Sequence, residues 1–468
     1  MKDVIVLEFN EVNADVLRRL AGRGELPHFK RLLENHALVR TTVSEDYAKL
    51  EPWIQWVTAH TGKSQAQHKA FNLSDVQHTR LRQVWDTLEA RGIACGLVSP
   101  MNARRGELKK GFFIPDPWSV SKDTYPEALH PLYRFLMERV QSHNVSLERG
   151  GSKLSFALAC VKAGVPLAAL ARLGAAYVRA RIDKRNKWKL AAQLDRFLFE
   201  LTLALRKRHR TAYTAVFMNA VAHYQHHYWT HHDPAYWGVR FPILFGKRNP
   251  VSQANLHPAD DPMTYGLRTY DAVLGKAIDA AGVDSVMVVT GLSQVPFEGY
   301  EEGSGFYLYR PYDHQRLFSA LGVQTTRISP LMSRDAMLYF ADDEARDKAC
   351  MILNSARVLG KPLFLCTEES DSRLFCKVSY SYDAPDDAVV DADGVTPGSM
   401  RFSDFFLLIT FKTGHHCPEG IIIASRTAFA QSSPPANMTL EAVPELIFRA
   451  MQLDDHEQMA QNLTFSPA

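Results

Sequence analysis

The densest group of side chains capable of chemistry lies between residues 211 and 229, in the run TAYTAVFMNAVAHYQHHYW. Its apolar part, which ends at Met218, predicts a buried strand, and Asn219, His223 and His226 follow directly. Ligands of α/β proteins gather at the carboxyl ends of strands, and neutral imidazoles with oxygen donors suit zinc, iron or manganese. The run therefore predicts a metal site; a surface helix that happens to be rich in histidine is the alternative.

Polar side chains follow several other predicted strands. The first strand is predicted over Val4–Leu7, which places two acids and an amide behind it. The polar residues at these strand ends are Glu8, Asn10 and Glu11; Ser99 and Asn102; Ser293 and Gln294; and His415 and His416. Strand ends that are distant in sequence converge at one edge of a parallel sheet, so the pattern predicts a single site there. The acids are either ligands or caps of the helices that follow.

The elements that position these residues alternate along most of the chain. Apolar runs without polar alternation predict strands that are covered on both faces, and amphipathic helices separate them. This alternation predicts an α/β fold with a mainly parallel sheet sandwiched by helices. Residues 125–210 interrupt it with an almost wholly helical pattern. We therefore predict an inserted helical cap at residues 125–210, within an α/β core formed by residues 1–124 and 211–468.

Composition excludes several classes of protein. A net charge of +3, with 46% hydrophobic and 22% charged residues, indicates a globular protein and no nucleic-acid partner. The most basic stretch, residues 179–189, is either a solvated helix face or a contact for a membrane surface or polyanion. The most apolar helix, residues 154–178, contains Lys162 and Arg172, so no transmembrane segment is predicted. Six scattered cysteines and the absence of a signal peptide predict a cytoplasmic protein.

Six segments carry a further pattern: VIVLEFNEVNADVLRRLAGRGELPHFKRLLE, EPWIQWVTAHTGKSQAQHKAF, FMNAVAHYQHHYW, VMVVTGLSQ, HHCPEGIIIAS and AVPELIFRAM. Together they resemble the alkaline phosphatase superfamily, specifically its type I phosphodiesterase and nucleotide pyrophosphatase branch, over nearly the whole chain. The resemblance implies an alkaline-phosphatase-like fold. It also implies metal-assisted hydrolysis or transfer of a phosphoryl-type or sulfuryl-type ester, from a small molecule or a conjugate.

The resemblance implies an altered metal site. In that branch two metals flank the reacting phosphorus, and the ligands of the first fall on Asn219, His223 and His416, with an amide in place of an aspartate. The ligands of the second fall on Asn10, Glu51 or its neighbours, Gly291 and Leu292. At most one conventional metal, zinc, manganese or iron, is therefore expected, and the second is expected to be absent.

The nucleophile position of the family also departs from its pattern. The family has threonine or serine before a proline, where this chain has Glu51-Pro52. The segments LEPWIQW, SPMN, PDPW and AHYQHHYW resemble a subgroup of bacterial alkaline-phosphatase-like proteins, which implies a rebuilt site. In such a site Glu8 and Glu51 would supply the charge lost at Asn10 and Asn219. Glu51 would be a general base, a carboxylate nucleophile or only a helix cap.

The sequence thus offers a defined set of candidate site residues and two alternative functions. The predicted catalytic residues are Glu51, His223, His226 and Asn10; the predicted substrate contacts are Asn102, Asp116, Gln55, Gln294 and Trp229; and the predicted metal ligands are Asn219, His223, His416 and Glu8. One alternative is a non-catalytic binding or regulatory protein of the same fold. The other is a metal-independent transferase that uses Glu51 and the histidine cluster.

Overall fold

The computed structural model describes residues 1–43, 45, 50–73, 75–119, 121, 123–140, 153–246, 256–257, 259–298, 307–330, 334–369, 371–429 and 434–464. The chain forms two compact units. The first comprises Met1–His232, His257–Val295 and Gly414–Ala468, and the second comprises Asp233–Leu256 and Pro296–Thr413. The predicted cap at residues 125–210 falls inside the first unit, and its residues 141–152 lie outside the described residues. The boundaries of that cap stay a prediction.

The first unit alternates strands and helices. Its strands are β1 (Val4–Phe9), β2 (His36–Thr42), β3 (Cys95–Val98), β4 (Gly111–Ile114), β5 (Tyr213–Met218), β6 (Val286–Val289), β7 (Ser293–Pro296), β17 (Gly414–Cys417), β18 (Glu419–Ser425) and β19 (Asn437–Thr439). Its helices are α1 (Ala14–Gly22), α2 (Pro27–Asn35), α3 (Pro52–Thr61), α4 (Gln65–His68), α5 (Val84–Ala90), α6 (His130–Val140), α7 (Lys153–Ala163), α8 (Leu167–Ile182), α9 (Lys189–His209), α10 (Ala220–Tyr228), α13 (Pro262–Ala281), α16 (Val443–Ala450) and α17 (His456–Thr464).

The second unit is described by itself. Its helices are α11 (Pro234–Arg240), α12 (Pro242–Gly246), α14 (His314–Ala320) and α15 (Asp343–Ser355). Its strands are β8 (Tyr307–Pro311), β9 (Arg327–Pro330), β10 (Asp335–Tyr339), β11 (Arg357–Val358), β12 (Lys361–Pro362), β13 (Phe364–Glu369), β14 (Arg373–Val378), β15 (Val390–Asp391) and β16 (Phe406–Phe411). The largest sheet has the order β13-β14-β10-β9, and the unit has its own apolar core. The sequence patterns did not predict this unit.

One eight-stranded sheet organises the first unit, in the order β19-β2-β18-β6-β1-β5-β3-β4. The strands on both sides of β1 and β5 run parallel, whereas β18 is antiparallel to both β6 and β2. Helices cover both faces of the sheet, α13 and α9 on one and α3, α5 and α16 on the other. This confirms the predicted mainly parallel sheet between helices. No helix in the described ranges is long and apolar enough to cross a membrane.

Strand β1 shows how the sheet aims its side chains. Side chains of a strand alternate between the two faces. Phe9 stacks on Tyr270 of α13, with ring centroids 4.4 Å apart, on one face. Val4 and Val6 join the apolar core that includes Trp56 of α3 on the other. The even-numbered positions of β1 therefore face α3.

Asp195 of α9 fixes the start of helix α10. Its Oδ2 accepts hydrogen bonds from the Ala220 N–H, at 2.7 Å, and from the Tyr270 hydroxyl, at 2.6 Å. Ala220 is the first residue of α10, whose own N-cap side chain, Asn219, makes no capping bond. Burial raises the pKa of Asp195 from 3.8 to about 7, although the bonds from Tyr270, Ala220 and Asn219 act to lower it. A buried carboxyl group of one helix therefore caps another.

Asp195→Asn should change how stability depends on pH. The folded protein holds the Asp195 proton up to about pH 7 and the unfolded chain only up to about 3.8. Unfolding therefore releases a proton in this window, and rising pH costs the wild type up to about 1.4 kcal/mol of unfolding free energy per pH unit. The asparagine side chain of the variant does not ionise. The unfolding free energy of the variant should therefore rise relative to that of the wild type as pH increases through this window. Equilibrium unfolding of both proteins across that range measures the difference.

Tyr270→Phe is the matched control, because it keeps the carboxyl group and removes a bond that lowers its pKa. In this variant the pH-dependent loss of unfolding free energy should therefore extend to higher pH than in the wild type. A free-energy difference between wild type and Asp195→Asn that stays constant with pH would contradict the assignment.

Candidate metal centre

Glu11 lies at the edge of the sheet where the parallel strands end. β1 ends at Phe9, and Glu11 adopts a left-handed backbone conformation with φ of 59°. Its N–H donates to the carbonyl of Thr290, which directly follows β6, at 3.1 Å. Its own carbonyl accepts a hydrogen bond from the side chain of Gln225 in α10. Neighbours on both sides thus hold a conformation that is uncommon for a residue other than glycine.

His416 reaches the same edge because of the antiparallel strand. β18 runs against β6, with Ile422 opposite Val289, so β18 begins where the parallel strands end. His416, on β17, precedes β18 by a few residues and is therefore delivered to that edge. His226 arrives from a third direction, on α10, which follows β5.

The hydrogen bond to the backbone fixes the proton of His416. Its Nδ1 lies 2.7 Å from the carbonyl oxygen of Leu50, which can only accept, so Nδ1 carries the hydrogen. In the neutral ring Nε2 then has a lone pair, and it faces the carboxylate oxygen Oε2 of Glu11 at 3.4 Å. A metal ion, or a second proton on His416, would interact favourably with both atoms. Metal-binding histidines usually donate their other N–H to a carbonyl in this way.

His226 completes a group of three candidate ligands. Its Nε2 also lies 3.4 Å from Glu11 Oε2, and one donor atom of each of Glu11, His226 and His416 lies within 4.8 Å of the others. Zinc binds nitrogen and oxygen at about 2.0–2.2 Å in a tetrahedron, whose ligand atoms are then about 3.3–3.6 Å apart. Both 3.4 Å separations match that edge length. Two histidines and one glutamate are also a ligand set of catalytic zinc sites, which keep a fourth position open.

The charge of Glu11 is stabilised despite its burial. Only 2% of its side chain is exposed, against 27% for His226 and 11% for His416, so solvent reaches the group from the histidine side. Burial alone would raise the pKa of Glu11, but the imidazoles of His416 and His226 outweigh burial and hold it well below its usual range. Gln294 Nε2 donates to Oε2 and Asn10 Nδ2 donates to Oε1, the latter at 2.8 Å. The carboxylate therefore stays ionised and is available to a cation.

An indole fixes the orientation of two amides beside the centre. Trp56 Nε1–H can only donate, so the atom of Asn10 that faces it at 2.8 Å is Oδ1. The NH2 group of Asn10 then points at Glu11 Oε1 and at Asn219 Oδ1, each at 2.8 Å. Because Asn219 accepts there with its oxygen, its own NH2 group is left as a donor. Asn219 is half-buried, so this donor is within reach of a ligand.

Glu8, a predicted metal ligand, lies elsewhere. It belongs to β1 and faces α3, where its Oε1 lies 2.9 Å from His60 Nε2, and both side chains are buried. Trp56 and His60 are four residues apart on α3, which is about one turn of the helix. The length of that turn is similar to the length of the two-residue step from Asn10 back to Glu8, so each helix residue meets one of these two side chains. Glu8 and His60 thus form a pair in the core next to the centre.

Two predicted catalytic residues flank the centre without joining its ligands. Glu51 Oε2 lies 3.6 Å from His416 Nδ1, and 22% of the Glu51 side chain is exposed. It makes no capping bond to α3. His223 packs beside His227, with ring centroids 4.6 Å apart, and is open to solvent. Desolvation, with a smaller contribution from the neighbouring His226, lowers the pKa of His223.

The predicted substrate contacts divide into two groups. Gln294 belongs to the centre through Glu11. Asn102 and Asp116 bond to each other in a separate buried group, in which Asp116 Oδ2 accepts from the Asn102 N–H at 3.0 Å. Gln55 and Trp229 are fully buried. All four of these side chains are buried, and their role as substrate contacts stays a prediction.

Thr58 and His68 resemble a nucleophile and its base, but the proton is on the wrong nitrogen. His68 Nδ1 accepts from the Ala70 N–H at 3.0 Å, so in the neutral ring Nε2 carries the hydrogen. That nitrogen then donates to the Thr58 hydroxyl, 3.2 Å away, and cannot remove its proton. Burial, with a smaller contribution from Lys63, lowers the pKa of His68 to about 4, which keeps the ring neutral.

No protein-family model matches the chain, and no curated protein matches it. Among solved structures, phosphonoacetate hydrolase from Sinorhizobium meliloti 1021 in complex with phosphonoformate is 14% identical, with a TM-score of 0.45 and 96% of each chain covered. The same protein in complex with phosphonoacetate is 13% identical, with a TM-score of 0.44 and the same coverage. A mutant of the alkaline phosphatase PafA is 10% identical, with a TM-score of 0.43, covering 97% of this chain and 96% of its own.

Gly414→Ala should disturb the strand that carries His416. A Cβ at Gly414 would lie 2.5 Å from the Gln225 carbonyl, 2.6 Å from Trp229 Nε1 and 2.8 Å from Gln294 Oε1. β17 would have to shift, at a cost of about 1–3 kcal/mol in unfolding free energy. Gly174→Ala is the control, because its Cβ would meet nothing within 4 Å in mid-helix and should cost nothing. Denaturant unfolding compares the two, and equal stabilities would contradict the packing described.

Proposed function

We propose that the chain is a metal-assisted hydrolase or transferase that acts on a phosphoryl-type or sulfuryl-type ester. One divalent ion, zinc, manganese or iron, would be held by Glu11, His226 and His416. The observation that carries the proposal is the facing pair of acceptors, Glu11 Oε2 and His416 Nε2, at the edge length of a tetrahedral site. A bound ion would polarise an ester oxygen or lower the pKa of a bound water.

The substrate class rests on the sequence resemblance to the alkaline phosphatase superfamily, and the local chemistry agrees with it. A tetrahedral phosphate or sulfate ester presents several anionic oxygens, which require donors and cations. The Asn219 NH2 group would bind one such oxygen beside the ion. Asn219 then serves as a donor to substrate, whereas its oxygen is already bonded to Asn10.

Glu51 is the carboxylate we assign to proton transfer or nucleophilic attack. Its Oε2 lies 3.6 Å from His416 Nδ1, on the side of the ring away from Glu11, and it is partly exposed, so it would act on a substrate that extends from the ion past His416. The second metal of the family has no counterpart in this proposal, because Asn10 is held by Trp56 and Glu11.

A specific feature supports a metal-free alternative. A second proton, on Nε2 of His416, would also satisfy this contact, because the ring would then donate a hydrogen bond to Glu11. The low pKa of Glu11 fits an ion pair with the imidazoles of His416 and His226. In that case the group would be a buried salt bridge, and the chain would be a metal-independent transferase or a binding protein.

Metal analysis separates these functions. The protein, purified without a histidine tag and dialysed against zinc or manganese, should retain close to one equivalent. Glu11→Gln, His226→Ala and His416→Ala should each lower the affinity by at least about tenfold, because each removes a ligand. His227→Ala is the matched control, since this neighbouring histidine lies outside the group of three.

Hydrolysis of p-nitrophenyl phosphate, bis-p-nitrophenyl phosphate and p-nitrophenyl sulfate should follow metal occupancy in the same variants. Wild-type protein that binds no metal, or three ligand variants that bind it as well as His227→Ala does, would overturn the metal centre. Metal retention without turnover of any ester would agree with the proposed metal site but would refute the proposed substrate class.

Asn219→Ala should weaken the binding of orthophosphate to the metal-loaded protein about tenfold, since one charge-assisted hydrogen bond is lost. Asn219→Asp should weaken it further, because a carboxylate would face the anion. Metal content should stay near one equivalent in both variants. Calorimetric titration with orthophosphate measures the affinity, and equal binding by wild type and Asn219→Asp would contradict the role of the donor.

A further inference from the structure

Helix α8 is apolar on two opposite sides. Ala169, Leu173 and Ala180 are buried, and the helix packs on α9. The opposite side also lacks charge and is exposed. With 3.6 residues per turn, it forms a stripe about 80° wide, made of Leu167, Ala171, Ala175, Val178 and Ile182. Leu167 is 73% exposed, Val178 58% and Ile182 82%, so water covers the large side chains of this stripe.

Helix α7 repeats the feature. Leu154, Leu158 and Val161 recur at a spacing of four and three residues, which places them on one side of the helix. They are 68%, 52% and 55% exposed. Six of the fourteen large apolar side chains that are exposed in the described residues thus fall within 29 residues of sequence. Exposed apolar surface concentrated in this way marks an interaction site.

The charge of these helices indicates what they contact. From Lys153 to Ile182 the sequence has no Asp or Glu and five Lys or Arg, although the whole chain has nearly equal numbers, 51 acidic and 54 basic. The cations concentrate at the end of the stripe and just after it, where Arg179, Arg181, Lys184 and Lys187 are exposed. Asp183, the first acid after the stripe, is already paired with Arg185. The apolar stripe is therefore bordered by exposed positive charge.

From this pattern we infer that α7 and α8 dock on the surface of a bilayer that contains anionic phospholipid. Leu167, Val178 and Ile182 would enter the boundary between headgroups and acyl chains, and the cations on either side of Ile182 would bind lipid phosphates. A second copy of the chain fits less well as the partner. In an isologous contact the same helices would face each other, and because they contain no Asp or Glu they would offer no carboxylate to the opposing cations. The inference is independent of the proposed metal centre.

Vesicle sedimentation with the full-length protein tests it. At low salt the protein should bind vesicles of equal parts phosphatidylcholine and phosphatidylglycerol at least about tenfold better than vesicles of phosphatidylcholine alone. Molar salt should release most of it, since the Debye length falls to about 3 Å. The combined variant Leu167→Glu, Val178→Glu and Ile182→Glu should lose at least about tenfold in partitioning. Arg179→Gln with Arg181→Gln and Lys184→Gln should lose as much on anionic vesicles.

Met351→Glu is the matched control, because Met351 is a 65% exposed apolar residue on α15 of the second unit. It should bind vesicles as the wild type does. All replaced side chains are exposed, so circular dichroism should show folded protein in each variant. Three outcomes would overturn the inference: wild type that stays in the supernatant with both vesicles, equal binding to both, or a dimer in light scattering that the three-glutamate variant dissociates.

Discussion

The candidate centre depends on one contact, between the buried carboxylate of Glu11 and the nearer ring nitrogen of His416. The Leu50 carbonyl holds the ring proton on the far nitrogen, so neither facing atom of the neutral pair can donate to the other. A buried charge without compensation is costly, and the fold surrounds Glu11 with amide donors and imidazoles. A positively charged group between these two atoms would be favoured, and this preference gives the site its chemical character.

The sheet explains why these particular residues meet. β1 and β6 end together, and their connection through Glu11 and Thr290 holds the acid at the edge. The antiparallel strand β18 begins at that same edge, so the segment before it delivers His416. Helix α10 begins just beyond β5 and brings His226 after two turns. Three segments far apart in sequence therefore meet without a long loop.

The sequence patterns predicted the layered sheet and its polar edge, but they did not predict the position of every single residue at that edge. The strand predicted over Val4–Leu7 continues to Phe9, so Glu8 stays within the sheet and faces His60, and Glu11 becomes the acid beyond the strand end. Nothing in an apolar run marks such a two-residue extension. A strand end also does not reveal a left-handed residue, and it is this conformation that Glu11 adopts.

The histidines of α10 show a similar limit. Helical spacing predicts which of them share a side but not which side faces the edge of the sheet, since tertiary packing decides the rotation of the helix. His226 and His223 could be told apart only from the structure. The second unit escaped prediction because its short strands lack long apolar runs, and its mixed pattern between residues 330 and 380 favours no element.

The bond from Ala220 to Asp195 couples the candidate centre to a helix that contributes none of the proposed ligands. Helix α9, in the predicted insertion, supplies the acceptor that caps α10, while α10 carries a ligand of the candidate centre. A change that displaces α9 would therefore remove the acceptor at the start of α10. It would reach His226 and the candidate centre without altering any of the three proposed ligands.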